Sequence, residues 1–150
     1  IIELLVREGI GRLVIGKNDG WKQEINLGRR TNQNFVAIPH ARLIDMLADK
    51  AELVGICVTV REESYTSKCS FLDLEPIEKH ETYLGRRVQR GLFISGKGRR
   101  IQADVNGSYN ILRKEVPCAF DAAGIEGAVV HPVRLVLTKP KTRKCGHGYK

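Results

Sequence analysis

Two short runs of β-branched residues with an amphipathic helix between them constrain the fold of this chain more than any other feature. The first run spans residues 12–16 and the second residues 56–60, and each predicts a strand buried on at least one face. Residues 41–52 predict the helix, because apolar side chains recur along one side of it: Leu43, Ile44, Leu47, Ala48 and Ala51. Strand, helix and strand in this order predict an α/β layered domain.

Patterns on either side of this unit predict a helix end and a hairpin. Residues 1–8 are typical of the end of a helix, which Gly11 terminates. Residues 68–90 are expected to be irregular. Residues 91–94 and 99–101 then flank a Ser-Gly-Lys-Gly turn, which predicts a small hairpin.

The C-terminal third predicts one more helix and an edge strand. The helix is expected over residues 103–114, with Pro117 just beyond its end and with four inward-facing residues: Val105, Ser108, Ile111 and Leu112. Residues 128–137 predict an edge strand, because Pro132 excludes a central one. The tail from Thr138 is expected to be disordered.

Length and apolar patterning limit the class of protein. A chain of 150 residues suits one ordinary domain, and no apolar run approaches the roughly 18–20 residues that cross a bilayer. The chain begins with Ile1 and shows no signal segment. We therefore expect a soluble fragment of a longer reading frame, cytoplasmic and nucleoid-associated in a prokaryote, with no membrane partner.

Cysteine usage fits an intracellular protein. Cys57, Cys69, Cys118 and Cys145 are widely separated and form no Cys-x-x-Cys pair. Cys57 lies in an apolar run and is expected to be a small core residue. Cys145 and His147 supply too few ligands for zinc, which normally takes four.

The net charge of +8 is concentrated in two places. Residues 73–84 are acidic, whereas the next segment and the tail from residue 138 are basic. Phosphates are natural partners for such clusters, so nucleic-acid binding is one interpretation; a solvated turn with a solubilising tail is the other. The basic side chains of the internal segment are Arg86, Arg87, Arg90, Lys97, Arg99 and Arg100.

Three carboxylates lie where they could bind a divalent cation. Glu62 and Glu63 follow the second strand, and Asp104 opens the last helix. Each has an ordinary explanation, since acidic residues after a strand usually face water and an aspartate in a first turn caps the helix. Together they match the clustered carboxylates that metal-dependent phosphodiester hydrolysis requires. Adjacent strand residues point to opposite faces, which leaves Glu62 and Glu63 as alternatives.

An ordered set of motifs resembles the C-terminal RuvC-like region of OrfB/TnpB proteins. Its strings are Glu-Ser-Tyr-Thr-Ser-Lys-Cys-Ser from Glu63, Arg-Gly-Leu-Phe from Arg90, and Ala-Asp-Val-Asn from Ala103. That family comprises transposon-encoded, RNA-guided DNA nucleases, or transposases, related to type V CRISPR effectors. The resemblance implies a partial RNase-H-like (RuvC-like) α/β domain over residues 1–117, with a degenerate zinc-ribbon-like insertion at 68–101. Residues 118–150 would form a C-terminal extension.

The resemblance also implies roles for individual residues. Asp104 matches the family's last catalytic aspartate, a metal ligand, and Asn106 and Asn110 match asparagines of structural or substrate-facing roles. The family's middle acidic residue ends the strand at the position of Gly16, which has no side chain to bind a metal. Glu63 would substitute for it, and the catalytic and metal-binding pair is then Asp104 and Glu63. Asp19 is a third candidate.

Two further departures from the family pattern concern zinc and the N-terminal region. Of the family's four zinc cysteines only Cys69 is present, whereas Leu72, Ile94 and Lys97 occupy the other places. No zinc is therefore expected, and apolar packing would keep the hairpin's shape. The family's first catalytic aspartate lies upstream of this sequence, so the fragment alone is expected to be inactive.

Three functional hypotheses follow. In the first, the chain is part of a DNA endonuclease that uses Mg²⁺ or Mn²⁺, with DNA, guide RNA and the missing N-terminal part of the same protein as partners. In the second, a catalytically inactive domain keeps nucleic-acid binding through the basic segment. In the third, the chain is a structural remnant.

Overall fold

The computed structural model describes residues 1–18 and 40–132 of the chain. Asp19, Cys145, His147 and the basic tail lie outside these residues. The described stretches contain helices α1 to α4 and strands β1 to β5, in this order: α1 Ile2–Arg7, β1 Arg12–Lys17, α2 His40–Glu52, β2 Cys57–Glu62, β3 Arg86–Gln89, β4 Leu92–Ile94, β5 Arg100–Gln102, α3 Ala103–Glu115 and α4 Ala122–Glu126.

The first two strands form a parallel pair. Arg12 is aligned with Cys57 at one end and Lys17 with Glu62 at the other. Parallel strands need a long crossover connection, and α2 lies within it. Helix α3 packs against both strands. The predicted strand–helix–strand unit and the mixed α/β class are therefore confirmed, and the carboxyl ends of both strands meet at one edge.

The remaining strands form an antiparallel sheet in the order β3-β4-β5. The predicted hairpin is confirmed. The prediction that residues 68–90 are irregular was wrong at the C-terminal end of this segment, because Arg86–Gln89 pairs with β4. All four residues of β3 are exposed and three are polar, so the alternation that identifies a half-buried strand is missing. A register shift between Arg87 and Gln89 interrupts the pairing.

The hydrophobic core lies between this small sheet and α3, with α4 closing one side. Phe71 is its centre, and the ring of Tyr109 stacks on it at a centroid distance of 4.3 Å while Phe120 meets it edge-on. Helix α4 was not predicted. Its cap is formed by Asp121, whose carboxylate accepts from the amide of Gly124 at 2.6 Å. The buried members are Phe71, Leu72, Phe93, Ile101, Ala103 and Ile125.

One expectation about the strand–helix–strand unit was wrong. Cys57 is exposed, and the neighbouring Ile56 is buried in its place, since adjacent strand residues face opposite ways. On α2, Ala51 is fully buried whereas Leu43 remains 48% exposed. The described neighbours cover the C-terminal end of this helix face more completely than its start.

The inward face of α3 also differs from the prediction. Ser108 is exposed, and Asn106 and Asn110 are fully buried. Asn106 accepts from the Phe71 amide at 2.9 Å, and both asparagine side chains donate to the carbonyl of Cys69. Their role is structural, because they satisfy backbone groups of the irregular segment that no strand or helix pairs.

Polar contacts hold the irregular segment in addition to the predicted apolar packing. Glu75 is 2% exposed, and its carboxylate accepts from the amides of Ser70 and Leu84, at 2.6 and 2.8 Å. Asp73 accepts from the Ser70 hydroxyl and from the amide of Gly96 across the hairpin, both at 2.6 Å. These bonds tie the segment to the hairpin through carboxylates.

Cys69, the one matching zinc cysteine, is buried in this segment. Its thiol donates to the carbonyl of Glu78 at 3.7 Å, and burial raises its pKa. Arg113 donates to the carbonyls of Leu74 and Glu75, each at 3.1 Å. Burial lowers the pKa of this guanidinium. Because burial raises its pKa, the Cys69 thiol is protonated at neutral pH, and it serves packing and hydrogen bonding.

The prediction of a C-terminal edge strand was wrong for the described residues, 128–132. Residues 128–132 form no strand, although the Gln102 amide donates to the Val130 carbonyl at 2.9 Å. Residues 133–137 lie outside the described residues. Within the described stretches, every helix is too short or too polar to span a membrane.

The end of α3 is fastened to the parallel strands by Glu115, which accepts from Arg61 at 2.5 Å and from Arg12 at 3.4 Å. The hydrogen bond from Arg61 is the main reason that the pKa of Glu115 lies below its ordinary value. Its stabilising effect is thus complete above the unfolded-state pKa of about 4.3 and is lost as pH falls through the lower folded-state value. We expect Glu115→Gln to lower the melting temperature at pH 7, with a difference that shrinks below about pH 4.

Thermal unfolding of both proteins between pH 3 and pH 7 checks this prediction. Glu126→Gln is the matched control, since its pair with Arg99 at 3.7 Å is open to water and should contribute little. An equal Glu115→Gln effect at pH 3 and pH 7 would contradict the charge-based explanation.

Candidate active site

An open cavity of about 380 Å³ lies between the carboxyl ends of the parallel strands and the first turns of α3. Ligands of α/β sheets commonly bind beyond the carboxyl ends of their strands. The residues that give the cavity its polar character come from four separate segments of the chain. They are Asn18, Glu63, Ser64, Tyr65, Thr66, Ser67, Arg87, Asp104 and Ser108.

Asp104 enters this cavity from the first turn of α3. It does not cap the helix, because the Gln102 side chain accepts from the amides of Asp104 and Val105, at 2.7 and 2.8 Å. The same Gln102 donates from Nε2 to Asp104 Oδ2 at 2.9 Å. The capping interpretation of Asp104 was therefore wrong, and its carboxylate is exposed and oriented by a neighbour.

Glu63 enters from the opposite side, one residue after β2. Its amide donates to the Lys17 carbonyl at 3.3 Å, and its own carbonyl accepts from the Thr66 hydroxyl at 2.8 Å. A Cβ atom placed on Gly16 would lie 2.6 Å from Ile111 Cδ1 and 2.8 Å from Glu63 Oε2. Gly16 thus leaves space that the Ile111 side chain and the Glu63 carboxylate share.

Glu62 faces away from this cavity and is occupied by other partners. Its carboxylate accepts from the amide and the hydroxyl of Ser64, and its Oε2 lies 3.2 Å from Lys114 Nζ. Of the two adjacent glutamates, only Glu63 lines the cavity. The sequence left this choice open, because the Lys114 contact joins residues far apart in the chain.

Tyr65 adds a strained residue to the cavity wall. Its φ of +62° lies in the left-handed region, which costs a non-glycine residue about 1–2 kcal/mol. Its carbonyl accepts from the amides of Lys68 and Cys69, both at 3.0 Å, and these bonds hold the turn. Strain of this kind is concentrated at functional sites. Tyr65 belongs to the string from Glu63 that carries the family resemblance, but local patterns gave no signal for its strained backbone. They gave none for the contacts of Gln102 and Lys114 either.

The basic segment is not a single patch around the cavity. Arg87 lines it, whereas Arg86 lines a second cavity of about 390 Å³ with Tyr83 and Leu84. Adjacent residues of β3 therefore serve opposite sides of the sheet. Arg99 pairs with Glu126. Three further basic residues are exposed at the ends of the small strands and at the hairpin tip: Arg90, Lys97 and Arg100.

The donor set of the cavity suits a hard divalent cation only in part. Glu63 and Asp104 supply carboxylate oxygens, which Mg²⁺ and Mn²⁺ prefer. No group of three or more His, Cys, Asp or Glu side chains converges in residues 1–18 and 40–132. The described residues thus provide two carboxylates, and any cation held there would also need water or other oxygen ligands.

Comparison with known proteins gives two matches. The family described as Cas12f1-like, TNB domain, matches residues 40–111. A TnpB-like protein, ORF457 of Acidianus two-tailed virus, is 26% identical over 141 residues, which cover 92% of this chain and 25% of that protein. The chain therefore spans about a quarter of the curated relative's length. No solved structure matches the chain. The two matches support a relationship to TnpB/OrfB-type proteins.

Proposed function

We propose that the chain is the C-terminal, RuvC-like part of a transposon-associated DNA endonuclease of the TnpB/OrfB type. In this proposal Glu63 and Asp104 bind Mg²⁺ or Mn²⁺, and the complete protein uses a guide RNA and an N-terminal region that supplies the remaining acidic ligand. The observation that carries the proposal is that these two carboxylates, from different elements, reach one cavity. The TnpB-like relative adds support for nucleic acid as the substrate class.

The residues of the cavity have different roles in the proposed reaction. Glu63 and Asp104 concentrate negative charge, which repels a phosphate unless a cation lies between them. A bound divalent cation would supply charge neutralisation and activation of water. Arg87, on the same cavity, attracts the phosphate backbone. Gln102 holds the orientation of Asp104 through the bond at 2.9 Å.

The second candidate is a nucleic-acid-binding domain without catalysis. The observation that favours it is that five basic side chains are exposed, whereas the cavity, which only Arg87 of the five lines, has two carboxylates among its described residues. The five are Arg86, Arg87, Arg90, Lys97 and Arg100. In that case affinity for DNA would fall steeply with added salt and would not respond to Mg²⁺ or Mn²⁺.

A titration of Mn²⁺ into the chain, followed by the backbone amide resonances, tests the proposed site. We expect paramagnetic broadening centred on Glu63 and Asp104, because both carboxylates would bind the ion. Asp104→Asn and Glu63→Gln should each lower the Mn²⁺ affinity obtained from this broadening about 10-fold or more, whereas Glu62→Gln should leave that affinity unchanged.

The outcomes separate the two candidates. Broadening that follows the pattern above supports the metal site. Uniform broadening across exposed acidic residues, together with salt-sensitive DNA binding that ignores Mn²⁺, would instead favour the binding domain. Loss of the response in Glu62→Gln but not in Glu63→Gln would show that the wrong glutamate has been assigned.

A further inference from the structure

The ammonium group of Lys114, in the last turn of α3, contacts the backbone on both sides of Glu63. Its Nζ donates to the Glu62 carbonyl at 3.0 Å and to the Ser64 carbonyl at 2.9 Å. Its third contact is the Glu62 carboxylate at 3.2 Å. An ammonium has three donors, so all of them are used at this one turn. Lys114 is 20% exposed, so this is more than a loose surface pair.

The other backbone groups of the turn are also engaged. The Glu63 amide bonds to Lys17, the Glu63 carbonyl accepts from Thr66, and the Ser64 amide donates to the Glu62 carboxylate. With the two carbonyls held by Lys114, every amide and carbonyl from the Glu62 carbonyl to the Ser64 carbonyl has a partner. The direction in which the Glu63 side chain leaves the backbone is therefore fixed.

We propose that Lys114 is a positioning residue for Glu63. This inference rests on the proposed metal site and adds a residue that does not line the cavity. By clamping the carbonyls of residues 62 and 64 to α3, Lys114 sets the turn so that Glu63 lies over Gly16 and reaches the cavity that Asp104 also lines. Because Lys114 and Asp104 belong to the same helix, α3 fixes the spacing of both carboxylates.

The carbonyl contacts, rather than the ion pair with Glu62, carry this role. The Glu62 side chain is 54% exposed, and an ion pair open to water contributes little. A neutral glutamine at position 62 keeps an oxygen for the Ser64 amide and leaves both carbonyl contacts of Lys114 intact. Glu62→Gln should therefore preserve the position of Glu63, whereas Lys114→Met should not.

The test compares Lys114→Met, Lys114→Arg, Glu62→Gln and the control Lys50→Met, which removes an exposed lysine from the end of α2. The first readout, without metal, is hydrogen exchange at two amides of this turn: that of Glu63, which donates to the Lys17 carbonyl, and that of Thr66, which donates to the Glu63 carbonyl. The second is Mn²⁺ affinity from amide broadening. Lys114→Met should speed exchange at these amides and weaken Mn²⁺ binding about 10-fold, the usual effect of removing a residue that orients a ligand.

The remaining variants decide between positioning and simple destabilisation. Lys114→Arg should restore most of the affinity because arginine also donates to carbonyl oxygens, and Glu62→Gln and Lys50→Met should resemble the wild type. The inference is overturned if Lys114→Met keeps wild-type exchange at residues 63 and 66, or if Glu62→Gln weakens Mn²⁺ binding equally. A wild-type chain without a localised Mn²⁺ response would reject the proposed site, and the exchange comparison would still decide whether Lys114 orders the turn.

Discussion

Replacing Asn106 with alanine is expected to destabilise the chain by roughly 3 kcal/mol, which lowers the melting temperature by about 6–12 °C in a protein of this size. The reason is that Asn106 is fully buried and accepts from the Phe71 amide, which no other described group pairs. An unsatisfied buried donor costs about 1–3 kcal/mol, and the lost side-chain volume adds to that. Chemical denaturation of wild type and variant measures the difference.

A double-mutant cycle with Asn110 makes this prediction sharper. The Cys69 carbonyl accepts from both asparagines, at 2.9 and 2.8 Å, so either single variant leaves it one donor and the double variant leaves none. We expect the double variant to lose about 1 kcal/mol more than the sum of the single losses. Ser108→Ala, on the exposed side of the same helix, is the control and should change stability by less than about 0.5 kcal/mol. Strict additivity would show that the shared carbonyl does not couple the two residues.

Removing the carboxylate of Asp104 should have the largest effect on activity. When the chain is joined to the N-terminal region that the proposed function requires, Asp104→Ala should reduce DNA cleavage by at least about 1000-fold. Losing about 4 kcal/mol of charge stabilisation at the metal corresponds to three powers of ten in rate. Folding should remain nearly intact, because Asp104 is exposed and the cap of α3 is formed by Gln102.

A change in helix stability would be a trivial cause of lost cleavage, and Asp121→Ala provides the comparison. It removes the capping carboxylate of α4, which does not line the cavity, and should cost about 1 kcal/mol of stability without affecting the metal site. Cleavage assays and melting temperatures of both variants separate the two effects. If Asp104→Ala still cuts DNA at the wild-type rate, the assignment of Asp104 is wrong.

The elements that the sequence predicted are those with apolar periodicity. Both parallel strands, α2 and α3 were found within one or two residues, because β-branched runs and glycine stops are local signals. Strand β3 has only exposed side chains and α4 only five residues, so neither carries such a signal. The inward face of α3 was misjudged because its fully buried positions are asparagines, which local hydrophobicity assigns to the surface.

The candidate site shows the same division. That Glu63 and Asp104 follow a strand and open a helix is visible in the sequence, and the structure places both on one cavity. Glu62 differs from Glu63 in its contact with Lys114, which lies more than fifty residues away in the chain. The ammonium group of this lysine reaches three acceptors: the Glu62 carbonyl, the Glu62 carboxylate and the Ser64 carbonyl. Local patterns contain no such information, and neither does the space that Gly16 leaves for Glu63.

The two proposed ligands belong to parts of the fold that differ in the free energy of local unfolding. Asp104 follows Ala103, a member of the hydrophobic core, whereas Glu63 follows β2, whose residues are all half-buried or exposed. Native-state exchange should therefore show the parallel strands opening at a lower free energy than the core around Phe71. A cation bound to both carboxylates would bind the closed form alone and suppress this opening, so that metal concentration would control the local stability of one half of the molecule.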